Sequence, residues 1–187
     1  MNPVALIPKL FVPDIIVEPQ KDSFSGYKII LKETSKQTKT ERVIIRNLPP
    51  VCKAIKLDAF KPKNNFLLGK EGELTRCDYV LIVKDNDENY MFFIELKSFK
   101  PKGTKIEKQF KSSKCLMSYC GLLAESFLSD NSFNSQIKYR YVVILRKNMP
   151  KRPVNLKPVN WNRNSAENYH KIPISRKKAI IHYKEFI

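Results

Sequence analysis

Residues 77–97 read CDYVLIVKDNDENYMFFIELK. Two apolar runs of strand length, 77–84 and 90–97, flank a polar turn at 85–89. Both runs are too continuously apolar for an exposed hairpin, so they are expected as central strands covered on both faces. Asp78 opens the first run, and Glu95 and Lys97 close the second. Antiparallel neighbours joined by a turn bring the start of one strand beside the end of the other. Asp78 and Glu95 are therefore expected at one end of the sheet. Glu95 and Lys97, two residues apart, are expected on one face.

Before this pair, 51–60 (VCKAIKLDAF) is a weaker strand candidate, and 61–75 is a polar loop holding Gly69 and Gly72. Farther upstream, 26–33 (GYKIILKE) and 41–47 (ERVIIRN) alternate as two strands of a hairpin, ended by Pro49-Pro50. Residues 1–20 are expected as an extended lead-in broken by Pro3, Pro8 and Pro13. That stretch has no basic leader, so it does not read as a signal peptide.

Downstream, 105–128 is the one convincing helix. Ile106, Phe110, Ser113, Met117, Cys120, Ala124 and Phe127 fall on one stripe, with Lys108 and Lys111 opposite. A strand follows at 138–145 (KYRYVVIL), then an irregular, basic, proline-punctuated arm over 146–178. Residues 179–187 (AIIHYKEFI) are a candidate to close the sheet. No internal repeat is visible. The chain is expected to form a single α/β (α+β) domain over 1–187. It divides into a lead-in (1–20), a β-hairpin unit (21–50), a core (51–146) and a basic arm with a closing strand (147–187).

Charge is the strongest bulk signal. The 187 residues carry 35 Lys+Arg against 18 Asp+Glu, a net +17. Such an excess favours a polyanion, whose condensed counterions it releases. Nucleic acid is the leading partner, and a membrane surface a distant second. No run of about 18 apolar residues is present, so no membrane span is expected. The four cysteines, Cys52, Cys77, Cys115 and Cys120, form no Cys-x-x-Cys pair. They are expected as reduced, mostly buried thiols of a cytoplasmic protein rather than zinc ligands. Nothing calls for a small-molecule cofactor.

Two carboxylates and a lysine at the rim of an apolar sheet need a reason, because unpaired charge there is costly. Mg²⁺ supplies one, or Mn²⁺ in its place. Mg²⁺ accepts a few protein oxygens and keeps the remaining positions for water and phosphate. Such an ion polarises a scissile phosphate and acidifies a bound water. Lys97 is placed to orient that water or to stabilise charge on phosphorus. Alone, Glu-x-Lys is an ordinary ion pair at a strand end; the apolar flank Phe92-Phe93-Ile94, the upstream Asp78 and the net charge give it weight.

With Arg76-Cys77-Asp78-Tyr79-Val80-Leu81, then Phe93-Ile94-Glu95-Leu96-Lys97-Ser98, then a helix bearing Gln109, the chain resembles the PD-(D/E)XK nuclease superfamily over about 52–146. The resemblance implies a restriction-endonuclease-like mixed central sheet with a flanking helix. It implies an active site of Asp78, Glu95 and Lys97, with Gln109 supplied by the helix. Asp78 and Glu95 would be metal ligands. The family's core usually begins with a helix that brings another acid, and that helix is not visible here. Asp58, in Ile55-Lys56-Leu57-Asp58, stands as its replacement and third ligand; Glu71 and Glu73 are weaker substitutes. Apart from the resemblance, Gln109 also fits a solvated helix position.

Lys61, Lys63 and Lys70 precede Asp78, and Lys100, Lys102 and Lys105 follow Lys97. A polyanion passing the carboxylates would meet both groups, although lysine occupies most exposed positions in this chain. In the arm, Trp161 lies between Arg152 and Arg163, an arrangement suited to stacking on an unpaired base. A lone tryptophan is more often core, and core is the favoured reading.

The leading expectation is a Mg²⁺-dependent DNA endonuclease. The resemblance gives it a defence, mobile-element or repair setting by analogy alone. A homodimer, or a partner motor or ATPase, would be in keeping with that family. The alternatives are a non-catalytic nucleic-acid-binding subunit on the same fold and a ribonuclease, since phosphate contacts do not distinguish the sugar.

Overall fold

The computed structural model describes residues 2–33, 41–60, 67–97, 103–133, 136–147, 160–175 and 179–187. After a 3-10 turn at Pro3–Leu6 comes the short helix α1 (Ile7–Leu10). Five strands follow: β1 (Ile16–Val17), β2 (Gln20–Lys21), β3 (Tyr27–Glu33), β4 (Glu41–Leu48) and β5 (Val51–Lys56). The central hairpin is β6 (Tyr79–Asp85) and β7 (Glu88–Lys97). The long helix α2 (Gly103–Leu128), β8 (Ile137–Lys147), β9 (His170–Ser175) and β10 (Ile180–His182) complete the chain.

Two mixed sheets result. The larger runs β1-β5-β6-β7-β8-β9, antiparallel as far as β7 and parallel from β7 to β9. The smaller runs β10-β4-β3-β2. Along β6 and β7, alternate residues enter two separate cores. Leu81, Val83, Phe92 and Ile94 pack against Ile29, Leu31 and Ile45 of the smaller sheet. Val80, Ile82, Met91 and Phe93 pack beneath Ile106, Phe110 and Met117 of α2. This double cover explains the continuous apolar runs, because both faces of β6 and β7 are buried.

The β6–β7 turn is a two-residue loop closed by the pair Asp85↔Glu88, with Asn86 left-handed at φ 52. Asparagine tolerates that conformation better than most residues. The register it sets continues to Tyr79↔Ile94. The next pair along that ladder is Asp78 with Glu95.

The structure corrects several expectations. The lead-in 1–20 is extended only toward its end, at Ile16–Val17 and Gln20, and is mostly helical turns before that. Pro3, Pro8 and Pro13 stand in the first turns of Pro3–Leu6, Ile7–Leu10 and Pro13–Ile15, where a missing N–H costs nothing. Val4, Leu6 and Ile7 are buried beside α2. On α2, the stripe from Ile106 to Ala124 is buried, but Phe127 is 79% exposed. The basic arm is not wholly irregular, since β9 extends the larger sheet beside β8. Its Pro173 is tolerated because β9 is an edge strand. The closing segment adds β10 to the smaller sheet, parallel to β4, and not to the sheet carrying Asp78 and Glu95. Trp161 packs partly buried against the core between the sheets, its ring 5.2 Å from that of His170.

Candidate active site

Asp78 precedes β6 and Glu95 lies near the end of β7, both on the face covered by α2. Their contact is reciprocal. The Asp78 N–H donates to Glu95 Oε2 at 3.2 Å, and Asp78 Oδ2 accepts from the Leu96 N–H at 2.6 Å. Glu95 is 0% exposed. Its Oε1 takes the Lys97 ammonium in an ion pair and accepts from Gln109 Nε2 at 2.8 Å. The strand pair thus supplies three members of the site and α2 supplies the fourth. Gln109 is buried, not solvated, and its amide also donates to the Arg76 carbonyl at 2.9 Å. The Gln109 Oε1 is buried without a hydrogen-bond donor.

Burial is the main force on both acids. It drives the Asp78 carboxyl well above the usual carboxylate range, and the neighbouring Glu95 charge pushes it further. The Leu96 N–H and Lys97 oppose that rise. Burial raises Glu95 too, against Lys97, Gln109 and the Asp78 amide. Two adjacent carboxylates whose charged forms are disfavoured face one ammonium. The donor set of hard oxygens, including the orphaned Gln109 Oε1, suits a divalent cation of the Mg²⁺ type.

Among the described residues, no group of three His, Cys, Asp or Glu side chains lies close enough to hold a metal ion. Asp58 sits exposed on the turn Leu57–Ala59, and its charge adds to the rise at Asp78. The Leu57 N–H donates to the Asp78 carbonyl at 3.0 Å, so that turn is anchored beside the site. Glu73 instead caps its own loop, accepting from Gly69 and Glu71 N–H at 2.6 and 2.9 Å. Glu71 pairs with Lys108 at 3.5 Å.

Two supporting residues escaped the sequence reading. Ser113 accepts from the Cys77 N–H at 2.8 Å and donates to the Gln109 carbonyl at 2.7 Å, tying the strand entry to the helix. Its signal was a serine inside an apolar stripe. Arg76 reaches the carbonyls of Glu73 and Thr75 at 2.8 and 2.6 Å and bonds Ser112, fixing the 67–76 loop to α2. Nothing in the sequence distinguishes it from the other basic residues.

Of the residues expected at a polyanion track, Lys70, Lys105 and Arg163 are exposed. Lys61, Lys63, Lys100, Lys102 and Arg152 lie outside the described residues. The four cysteines are free, and only Cys115 is exposed. Among the described residues, no helix is long and apolar enough to cross a membrane. No family model, curated protein or solved structure matches the chain.

Proposed function

We propose that this chain is a Mg²⁺-dependent phosphodiesterase of the PD-(D/E)XK nuclease type, cutting nucleic acid and most readily DNA. One observation carries the reading: Asp78 and Glu95 meet across β6 and β7, with Lys97 and Gln109 both closing on Glu95. The mixed sheet with its flanking helix is compatible with a restriction-endonuclease-like core.

Asp78 and Glu95 are the residues that would hold the cation, with Gln109 Oε1 as a neutral oxygen beside them. Bound there, it would polarise a phosphate and acidify a water. Lys97 is the partly exposed cation of the site, at 27% exposure against 0% for Glu95, so its ammonium borders both the carboxylate and solvent. That position suits it to stabilise negative charge on a phosphate or to orient an attacking water. Gln109 holds the Glu95 carboxylate in place, and Arg76 and Ser113 fix Gln109 and the Asp78 approach. The net charge of +17 supplies the attraction for the polyanion.

The test is cleavage by purified protein of single- and double-stranded DNA and RNA, with Mg²⁺ or Mn²⁺. Wild type is expected to cut, whereas Asp78→Ala and Lys97→Ala bind the substrate without cutting it. A wild type that binds Mg²⁺ and nucleic acid yet leaves every substrate intact would overturn the enzymatic reading. The alternative is a non-catalytic nucleic-acid-binding subunit. Calorimetry separates the two: Mg²⁺ binding lost in Glu95→Gln supports the enzyme, and no Mg²⁺ binding by wild type supports the subunit.

A further inference from the structure

A cavity of about 490 Å³ opens between the 67–76 loop and the exposed side of α2. Its volume lies in the range of sites that take small organic groups, roughly 300–1,000 Å³. Phe60, Leu74, Leu116 and Tyr119 make its walls apolar; Arg76 and Ser112 also line it, and the Arg76 carbonyl accepts from the Gln109 amide that also donates to Glu95. Ser112 follows Gln109 by less than one helical turn, and Arg76 is two residues before Asp78. The cavity is thus the next compartment along from the candidate active site.

The walls are built in advance. Gly72 approaches α2 so closely, at φ +91, that an added Cβ would stand 2.9 Å from Lys108 Cδ. The Arg76 bonds to Glu73, Thr75 and Ser112 lock the same loop. Charge at the mouth is already neutralised within the protein. Glu71 pairs with Lys108, Lys111 pairs with Glu107 and Glu167, and Glu73 is held by two loop amides. An anionic group gains little there, and a flat uncharged one gains the apolar walls. The Arg76 guanidinium lies 5.8 Å from the Phe60 ring centre. A flat ring matches those walls.

We propose that this cavity receives an unpaired nucleobase of the strand whose phosphate lies at Asp78 and Glu95, which makes single-stranded or locally opened nucleic acid the substrate class. The inference rests on the nucleic-acid reading above. A paired, stacked base cannot enter such a cavity, whereas base–aromatic stacking tolerates any sequence.

The experiment is fluorescence anisotropy with a labelled single-stranded oligonucleotide in EDTA, so that no cleavage intervenes. A second set of probes carries one abasic position, moved along the strand. Wild type is expected to lose about tenfold in affinity at one position of the abasic probe, within the range for one stacked base. Phe60→Ala and Tyr119→Ala remove partly exposed rings and are expected to keep the wild-type melting temperature. Both are expected to bind intact strand about tenfold more weakly and to ignore the abasic gap. Equal affinity of wild type for intact and abasic strands overturns the base pocket while leaving the nuclease reading standing. Variants that bind as tightly as wild type do the same. A wild type that binds no oligonucleotide overturns both.

Discussion

The backbone N–H of Asp78 donates to the Glu95 carboxylate, while the Asp78 carboxylate accepts from the backbone N–H of Leu96, next to Glu95. Each acid is thus positioned by the other's strand. The distance between them follows from β-ladder geometry, not from side-chain freedom.

That arrangement carries a pH signature. An acid whose pKa is raised on folding holds its proton more tightly in the folded state. Its stabilising effect is complete below the ordinary carboxylate range and is lost as pH rises through the raised value. Asp78 and Glu95 are both raised. Wild type should therefore lose stability relative to Asp78→Asn as pH rises from the ordinary carboxylate range toward neutrality. Melting temperatures of the pair across that window check this, with about 1 kcal/mol appearing as ~2–4 °C. A difference that does not change with pH would argue against a penalised acid pair.

A divalent cation should reverse the penalty. Thermal stabilisation by Mg²⁺ is expected to be larger near pH 8 than near pH 5.5, since protons compete for the same oxygens. At a hundredfold excess over Kd the gain is about 2.7 kcal/mol. Glu95→Gln should abolish it, read by the same melting experiment.

Gln109 links Glu95 to the Arg76 carbonyl. Gln109→Ala strips the Arg76 carbonyl of its donor and leaves Glu95 Oε1 with Lys97 alone, at a cost of roughly 1–3 kcal/mol. Cleavage is expected to fall by one to two orders of magnitude, with substrate affinity nearly unchanged. Single-turnover rates beside binding isotherms make the comparison.

Ser113 tests whether the helix positions the site indirectly. Ser113→Ala strips the buried Cys77 N–H of its acceptor, and a loss of about 1–3 kcal/mol is expected from urea unfolding. Ser113→Thr keeps the hydroxyl and should recover most of the difference.

The hairpin and the meeting of Asp78 with Glu95 were legible in the sequence because strand periodicity, turn composition and a carboxylate at each outer end all agreed. The helix was legible for the same reason, from Ile106 to Ala124. What stayed hidden depended on distant partners. Val4, Leu6 and Ile7 are buried in a core that also draws on β5, β6 and α2, far along the chain. Short β9 is a strand only because β8 offers a free edge. The place of Gln109 near Glu95 was available by resemblance. Its burial was not, because a polar residue at the margin of an apolar stripe is buried only if a buried partner waits for it.

The pair Asp85↔Glu88 closes the β6–β7 turn, and Asp78 and Glu95 stand equally far from it along the two arms. Side chains alternate between the sheet's faces along each arm. A single residue inserted into one arm would carry its acid through the sheet, to the side of the smaller sheet, while a pair inserted would keep it on the helix side but out of step. The composition of these arms is open to exchange among apolar residues of similar size. Their length is not, and evenness of spacing is what the chemistry requires of them.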